Sequence, residues 1–110
     1  LLRKRALFAK YEEAFRTVPE VELFKEAEYA ASNYWLQTLI LKPEYAGARD
    51  TVLKRTNEAG FMTRPAWKLL CDLPMYSDCP SMDLSTSRSL ESRIINIPSS
   101  STLGRELLCP

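Results

Sequence analysis

"YWLQTLIL", residues 34–41, is the stretch on which the fold turns. It is rich in aromatic and branched side chains and is broken only by Gln37 and Thr38. That composition favours a pleated, half-buried backbone, so the segment reads as a central strand, closed by Pro43. Working outward, Leu7, Phe8, Tyr11, Phe15 and Val18 recur at intervals that place them on one helical face. Lys4, Lys10, Glu12, Glu13 and Arg16 occupy the opposite face, and Pro19 is expected to end the helix. Residues 21–26 form a first short strand-like run.

Beyond the central strand, residues 46–59 turn helical again, with Val52 and Leu53 inward and Arg49, Asp50, Lys54, Arg55 and Glu58 in water. Gly60 stands where a left-handed C-terminal cap is wanted. "FMTR" reads as a short strand, "WKLL" as one helical turn and "YSDCPSM" as loop. Asp83 or Ser85 is placed to cap a third helix reaching about Arg93, and "IINIP" is the last strand. "SSSTLGRELLCP" reads as a loosely held tail, giving a domain over residues 1–98 and a tail over 99–110. Helix, two strands, helix, strand, helix, strand is most economically an α+β two-layer domain. Its sheet would be small and mostly antiparallel, with helices packed on one face.

Composition closes several functional classes. The 110 residues suit one domain, and 15 basic against 14 acidic residues leave a net charge of +1, no field for a nucleic-acid backbone. No apolar run approaches a membrane span or a secretory signal core. The chain starts at leucine, as expected of a piece of something longer, and processing or trimming to the ordered region would look the same. Without histidine there is no Ser-His-Asp or Cys-His site of the usual kind, and a zinc site lacks its usual ligands. Three scattered glycines exclude both the P-loop and the dinucleotide fingerprint. Cys71, Cys79 and Cys109 share no CxxC spacing and fit free thiols in a reducing cytoplasm, with Cys71 read as a buried, inert thiol. Glu12, Glu13, Asp50 and Glu58 read as solvated carboxylates beside lysine and arginine, and Tyr34 and Trp35 as core.

The exception is the corner "AGFMTRPAWKLLCDLPMY", residues 59–76. Arg64 precedes a proline, where the chain is stiff and the planar guanidinium can be aimed at a carboxylate or phosphate. Trp67 is placed either to stack on a flat ligand or to cover the stem of Arg64. The competing reading pairs Arg64 with a carboxylate such as Glu58 or Asp72, a staple for the corner.

The progression "SNYWLQTLIL", "ARDTVLKRTNEAGFMTRPAWKLLCDLPMY" and "SRSLESRIINIPSS" resembles the C-terminal part of the DegT/StrS-type sugar aminotransferases. It is most similar to the branch making aminated precursors of bacillosamine and legionaminic acid. The resemblance runs from "KRALFAKYEEAF" through "NIPSS", with "RPAWKLL" its most specific part. It implies the small C-terminal domain of a fold-type I enzyme dependent on pyridoxal phosphate, acting on a UDP-linked or other nucleotide-linked 4-keto sugar. Glutamate is the implied amino donor and a homodimer the implied assembly. The Schiff-base lysine, the pyridine-nitrogen aspartate and the phosphate cup belong to the large domain of such enzymes. The contexts of Lys4, Lys10, Lys25, Lys42, Lys54 and Lys68 do not match the family's lysine loop. The resemblance therefore implies no catalytic, cofactor or metal residue in this chain, and no transamination by it alone.

Carried over from the family, Arg64, Trp67 and Lys68 become substrate-binding residues at the edge of the active-site cleft. Leu69 and Cys71 stand where related members often carry a proline and then a histidine, so one polar substrate contact is replaced. If a large domain is missing, an apolar surface is expected on the outward face of the first helix and on the 67–70 turn. The alternative reading is an autonomous, non-catalytic interaction or nucleotide-binding module derived from that domain. An upstream reading frame bearing the lysine distinguishes the two.

Overall fold

The computed structural model describes residues 1–103. Along the chain lie α1 (Leu2–Phe15), β1 (Val21–Leu23), β2 (Gln37–Leu41), α2 (Arg49–Glu58), β3 (Arg64–Pro65), α3 (Ser85–Glu91) and β4 (Ile94–Ile97). Short 3-10 turns cover Pro43–Ala48, Leu70–Asp72 and Pro74–Tyr76. The sheet order is β1-β2-β4-β3, and all three pairings are antiparallel. The α+β fold expected from the element order is the fold found.

Alternation along β2 and β4 decides the two faces of the sheet. Gln37, Leu39 and Leu41 of β2 are buried, as are Ile95 and Ile97 of β4, while Thr38, Ile40, Ile94 and Asn96 between them are half-buried. Leu39, Leu41, Ile95 and Ile97 form the core cluster, with Tyr11 and Phe15 of α1 and Val52 and Leu53 of α2 packed against it. The two longer helices thus cover one face, as the two-layer reading requires. The other face is left to the loops and to Leu90 of α3, which borders it.

Several boundaries differ from the sequence reading, each for a local reason. Helix α1 stops at Phe15 rather than at Pro19, because Val18 precedes a proline and the chain already turns at residues 16–17. Strand β1 ends at Leu23, not at 26. Strand β2 begins at Gln37: Tyr34 takes a left-handed backbone, φ 47°, which breaks the pleat before it starts. Tyr34 is buried in the core, stacked on Phe8 at 4.3 Å, but Trp35 is 67 % exposed, against expectation. The second helix opens as the 3-10 turn at Pro43, and Gly60 caps its far end at φ 85°, as anticipated.

"FMTR" contributes only Arg64 to the sheet, followed by Pro65, whose missing N–H confines β3 to the edge. The helical turn read at "WKLL" lies instead at Leu70–Asp72. Leu84, and neither Asp83 nor Ser85, is the N-cap of α3 and makes no side-chain capping bond; Asp83 accepts from the Ser85 backbone N–H at 3.1 Å and its hydroxyl at 2.8 Å just before the helix, which ends at Glu91. Cys109 and most of the tail lie outside the described residues. Among the described residues no helix is long and apolar enough to cross a membrane.

Candidate functional site

The uncovered sheet face assembles the residues of interest by register. Arg64 pairs with Asn96, and Asn96 with Thr38, so these three side chains stand in one row across the strands. Phe24 extends the row, its N–H donating to the Thr38 carbonyl at 2.8 Å. The Thr38 hydroxyl donates to Asn96 Oδ1 at 2.9 Å, and Asn96 Nδ2 donates to the Pro65 carbonyl at 3.3 Å. A polar ladder therefore crosses an otherwise apolar surface and ends at the guanidinium.

Two adjoining grooves share Leu36 and Asn96. One, about 270 Å³, is lined by Arg64, Met62, Pro98, Ser99 and Ser100 among others. The other, about 350 Å³, is lined by Trp67 with Phe24, Ile40, Ala66, Leu90 and Ile94. Trp67 is 76 % exposed, so its indole walls this groove without being part of a core. The structure thus brings Arg64 and Trp67 to one face. Lys68 lines neither groove; its charge acts instead on Asp72, helping to hold that carboxyl below its ordinary value after the larger effect of Arg88.

The staple reading of Arg64 finds no partner in the geometry. Asp72 is taken by Arg88 through a two-pronged contact, both bonds at 3.0 Å, and Glu58 lies 3.9 Å from Lys54. Among the described residues Arg64 makes no ion pair and no side-chain hydrogen bond. An exposed guanidinium on an edge strand, stiffened by the next residue, is left pointing at solvent with its fork unoccupied.

Exposed apolar surface is concentrated here as well. Phe24, Leu36, Trp67, Phe61 and Met62 are exposed on or beside this face, and Leu70 on the turn that follows. The outward face of α1, where such surface was expected, carries Lys10, Glu12, Glu13 and Arg16 with the small Ala9 and Ala14; the large apolar side chains exposed there are Leu1 and Leu2 at its start. The 67–70 turn matches the expectation.

Sequence reasoning missed one neighbour of Cys71. The thiol is half-buried rather than buried, and Arg88, seventeen residues away in the chain, approaches its Sγ to 3.7 Å. Asp72 Oδ1 stands 3.7 Å from the same sulfur, so the guanidinium is already balanced. Cys71 and Cys79 both line an apolar pocket with Tyr76, Met82 and Leu84. No spacing rule in the sequence brings Arg88 to this loop.

The donors needed for pyridoxal phosphate do not assemble among the described residues. Lys4 Nζ donates to the carbonyls of Trp35 and Ser99, Lys25 pairs with Glu12 at 2.8 Å, and Lys54 faces Glu58. Lys10, Lys42 and Lys68 are exposed. None of the six lies in an enclosed site backed by a carboxylate. Nor, among the described residues, do three or more metal-ligating side chains converge.

Comparison with known proteins matches this geometry at the level of fold. PseC of Helicobacter pylori, an aminotransferase involved in the biosynthesis of pseudoaminic acid, superposes with a TM-score of 0.84 at 13% identity over 96% of this chain and 29% of its own. The aminotransferase TlmJ from Streptoalloteichus hindustanus gives 0.80 at 17% identity, over 94% of this chain and 27% of that one. DesI, solved in the presence of its TDP-sugar product, gives 0.79 at 21% identity, over 96% and 28%. The chain therefore spans under a third of the length of these structures. No curated protein matches it. The sequence model of one family matches from residue 1 to residue 108, across the helices, the sheet and the Arg64 corner alike: the chain belongs to the DegT/DnrJ/EryC1/StrS aminotransferase family.

Proposed function

We propose that residues 1–98 are the small domain, and 99–110 the tail, of a pyridoxal-phosphate-dependent aminotransferase acting on a UDP-linked 4-keto sugar. The uncovered sheet face is its substrate side. The observation that carries this reading is the Arg64 guanidinium, without an ion pair among the described residues, beside the Thr38–Asn96 pair, with the Trp67 indole walling the adjoining groove. A guanidinium recognises a phosphate or carboxylate through paired N–H groups, and an indole recognises a flat or apolar surface. A nucleotide-linked sugar offers both. That DesI is described with a TDP-sugar product supports the substrate class.

Pyridoxal phosphate supplies the electron sink of a transaminase when bound. In this reading it is held by a larger, lysine-bearing part of the polypeptide, and the present chain binds and orients the substrate. Lys68 lies at the rim and adds positive charge near Asp72 rather than a direct contact. The working enzyme is a homodimer in the cytoplasm, with glutamate as amino donor.

The test is turnover. A polypeptide carrying this domain together with its lysine-bearing part is supplied with pyridoxal phosphate, glutamate and a UDP-linked 4-keto sugar, and the product is followed by mass. Formation of the amino sugar is the expected result. No turnover with any nucleotide-linked keto sugar, by a folded and cofactor-loaded protein, contradicts the reading.

A further inference from the structure

Between β1 and β2 the chain is fixed at nearly every backbone group around Trp35. The Trp35 N–H donates to Asn33 Oδ1 at 2.9 Å, and its carbonyl accepts from Lys4 Nζ at 3.0 Å and from the Ser99 hydroxyl at 2.9 Å. Tyr34 beside it holds a left-handed backbone, uncommon for a residue with a Cβ, and is locked between the Phe8 ring at 4.3 Å and the Arg5 guanidinium at 5.4 Å. Arg5 is in turn clamped to Glu26 by bonds of 2.8 and 3.0 Å. The backbone on either side of Trp35 is thus anchored, while its indole is 67 % exposed.

Its position relates it to Arg64. The indole lines a groove of about 260 Å³ with Phe24, Asn33, Leu36 and Thr38. Leu36 also lines the Arg64 groove, and so does Ser99, the residue whose hydroxyl holds the Trp35 carbonyl. The two grooves thus meet at Leu36, one holding a guanidinium unpaired among the described residues with two serines and Asn96, the other an indole on an anchored backbone. The order of chemistry is anion recognition, then hydroxyl and amide groups, then an aromatic plane.

We propose that Trp35 is the base-stacking wall of this face. The flat ring of a nucleoside diphosphate lies on its indole, and the diphosphate extends toward Arg64. Stacking uses the π-face that every base presents, and a fixed backbone spares the ordering of the tryptophan on binding. Asn33, which lines the same groove, spends its side-chain oxygen on the Trp35 N–H and keeps its amide N–H groups as the donors it can offer a base carbonyl. This assignment rests on the reading of the face as the substrate side of a nucleotide-sugar aminotransferase domain.

Titration of the chain with UDP and with inorganic pyrophosphate, followed by the two tryptophan indole N–H resonances, separates the assignment from the reading beneath it. UDP is expected to shift the Trp35 indole signal, and pyrophosphate to leave it in place. Trp35→Leu should weaken UDP roughly fivefold to a hundredfold, Trp35→Phe should retain most of the affinity, and neither should alter pyrophosphate binding. Arg64→Ala should weaken both anions. Melting temperatures show that each variant is folded, and Trp35→Phe answers for the loop if Trp35→Leu is not. If Arg64→Ala weakens both anions while Trp35→Leu binds UDP as the parent does, the stacking wall is overturned and the substrate face stands. If the folded parent binds neither anion, both are overturned.

Discussion

At Gln37 a side chain 1 % exposed sits between the sheet and α1, its Nε2 donating to the Lys4 carbonyl at 3.2 Å while its Oε1 has no donor among the described residues. A buried acceptor left unpaired costs about 1–3 kcal/mol. Methionine has a similar volume and no such acceptor, so Gln37→Met is expected to stabilise the fold by about 1 kcal/mol in urea denaturation. A loss of stability would show that the oxygen has a partner in solution, an ordered water being the simplest. In the sequence Gln37 was only an interruption of an apolar run; its burial follows from the register with Ile97, which no local pattern reveals. The same limit explains Trp35. Its composition belongs to the strand, but the left-handed Tyr34 before it rotates the chain, sending one aromatic into the core and the other into water. The extended backbone of Arg64 was legible because proline acts on its immediate neighbour, whereas Arg88 beside Cys71 was not, the contact spanning seventeen residues.

Among the elements, those whose signals are local were the most readable. The strand character of β2 and β4, the apolar stripe of α1 and the glycine after α2 each follow from the residue types themselves. Gly60 is the testable case: at φ 85° an alanine has open space around its Cβ but the wrong backbone, so Gly60→Ala should cost about 1–2 kcal/mol. Gly47, in the 3-10 turn before α2, has equally open space and no positive φ, so Gly47→Ala should be neutral or stabilise by up to about 1 kcal/mol. Equal effects at the two sites would remove the backbone explanation.

The loop between β1 and β2 gives an acid dependence. The Glu26 carboxyl is held below its ordinary value, first by the hydrogen bonds from Arg5, then by the Ser32 backbone N–H. A depressed folded-state pKa contributes stability that is complete above the ordinary carboxylate range, near pH 4.5. That stability is lost as pH falls from there through the lower folded value. The melting temperature should therefore decline with acid more steeply in the parent than in Glu26→Gln, and the two profiles should converge at low pH. Parallel profiles would mean that the Arg5–Glu26 contact does not hold the loop.

Seen as a whole, the molecule is a sheet with one face buried and one face open. Two helices, a core of Leu39, Leu41, Ile95 and Ile97, and the clamps on Tyr34 fix the first face. The second keeps Phe24, Leu36 and Trp67 in water around the hydrogen-bonded Thr38–Asn96 pair, beside which Arg64 stands without an ion pair among the described residues. The two-layer architecture was legible because the order and periodicity of the elements admit few other packings. Which residues share the open face was not, since that depends on β3 joining β4 at the edge with Arg64 opposite Asn96. The measurement that tests this account most directly is substrate affinity, read beside melting temperature, for Arg64→Lys and Arg64→Ala in the cofactor-loaded enzyme that contains this domain. The account predicts an unchanged melting temperature for both, a roughly ten- to hundredfold loss of affinity for alanine, and a partial loss for lysine, which keeps the charge but not the fork. Unchanged affinity with a lowered melting temperature would contradict it and make Arg64 a structural residue.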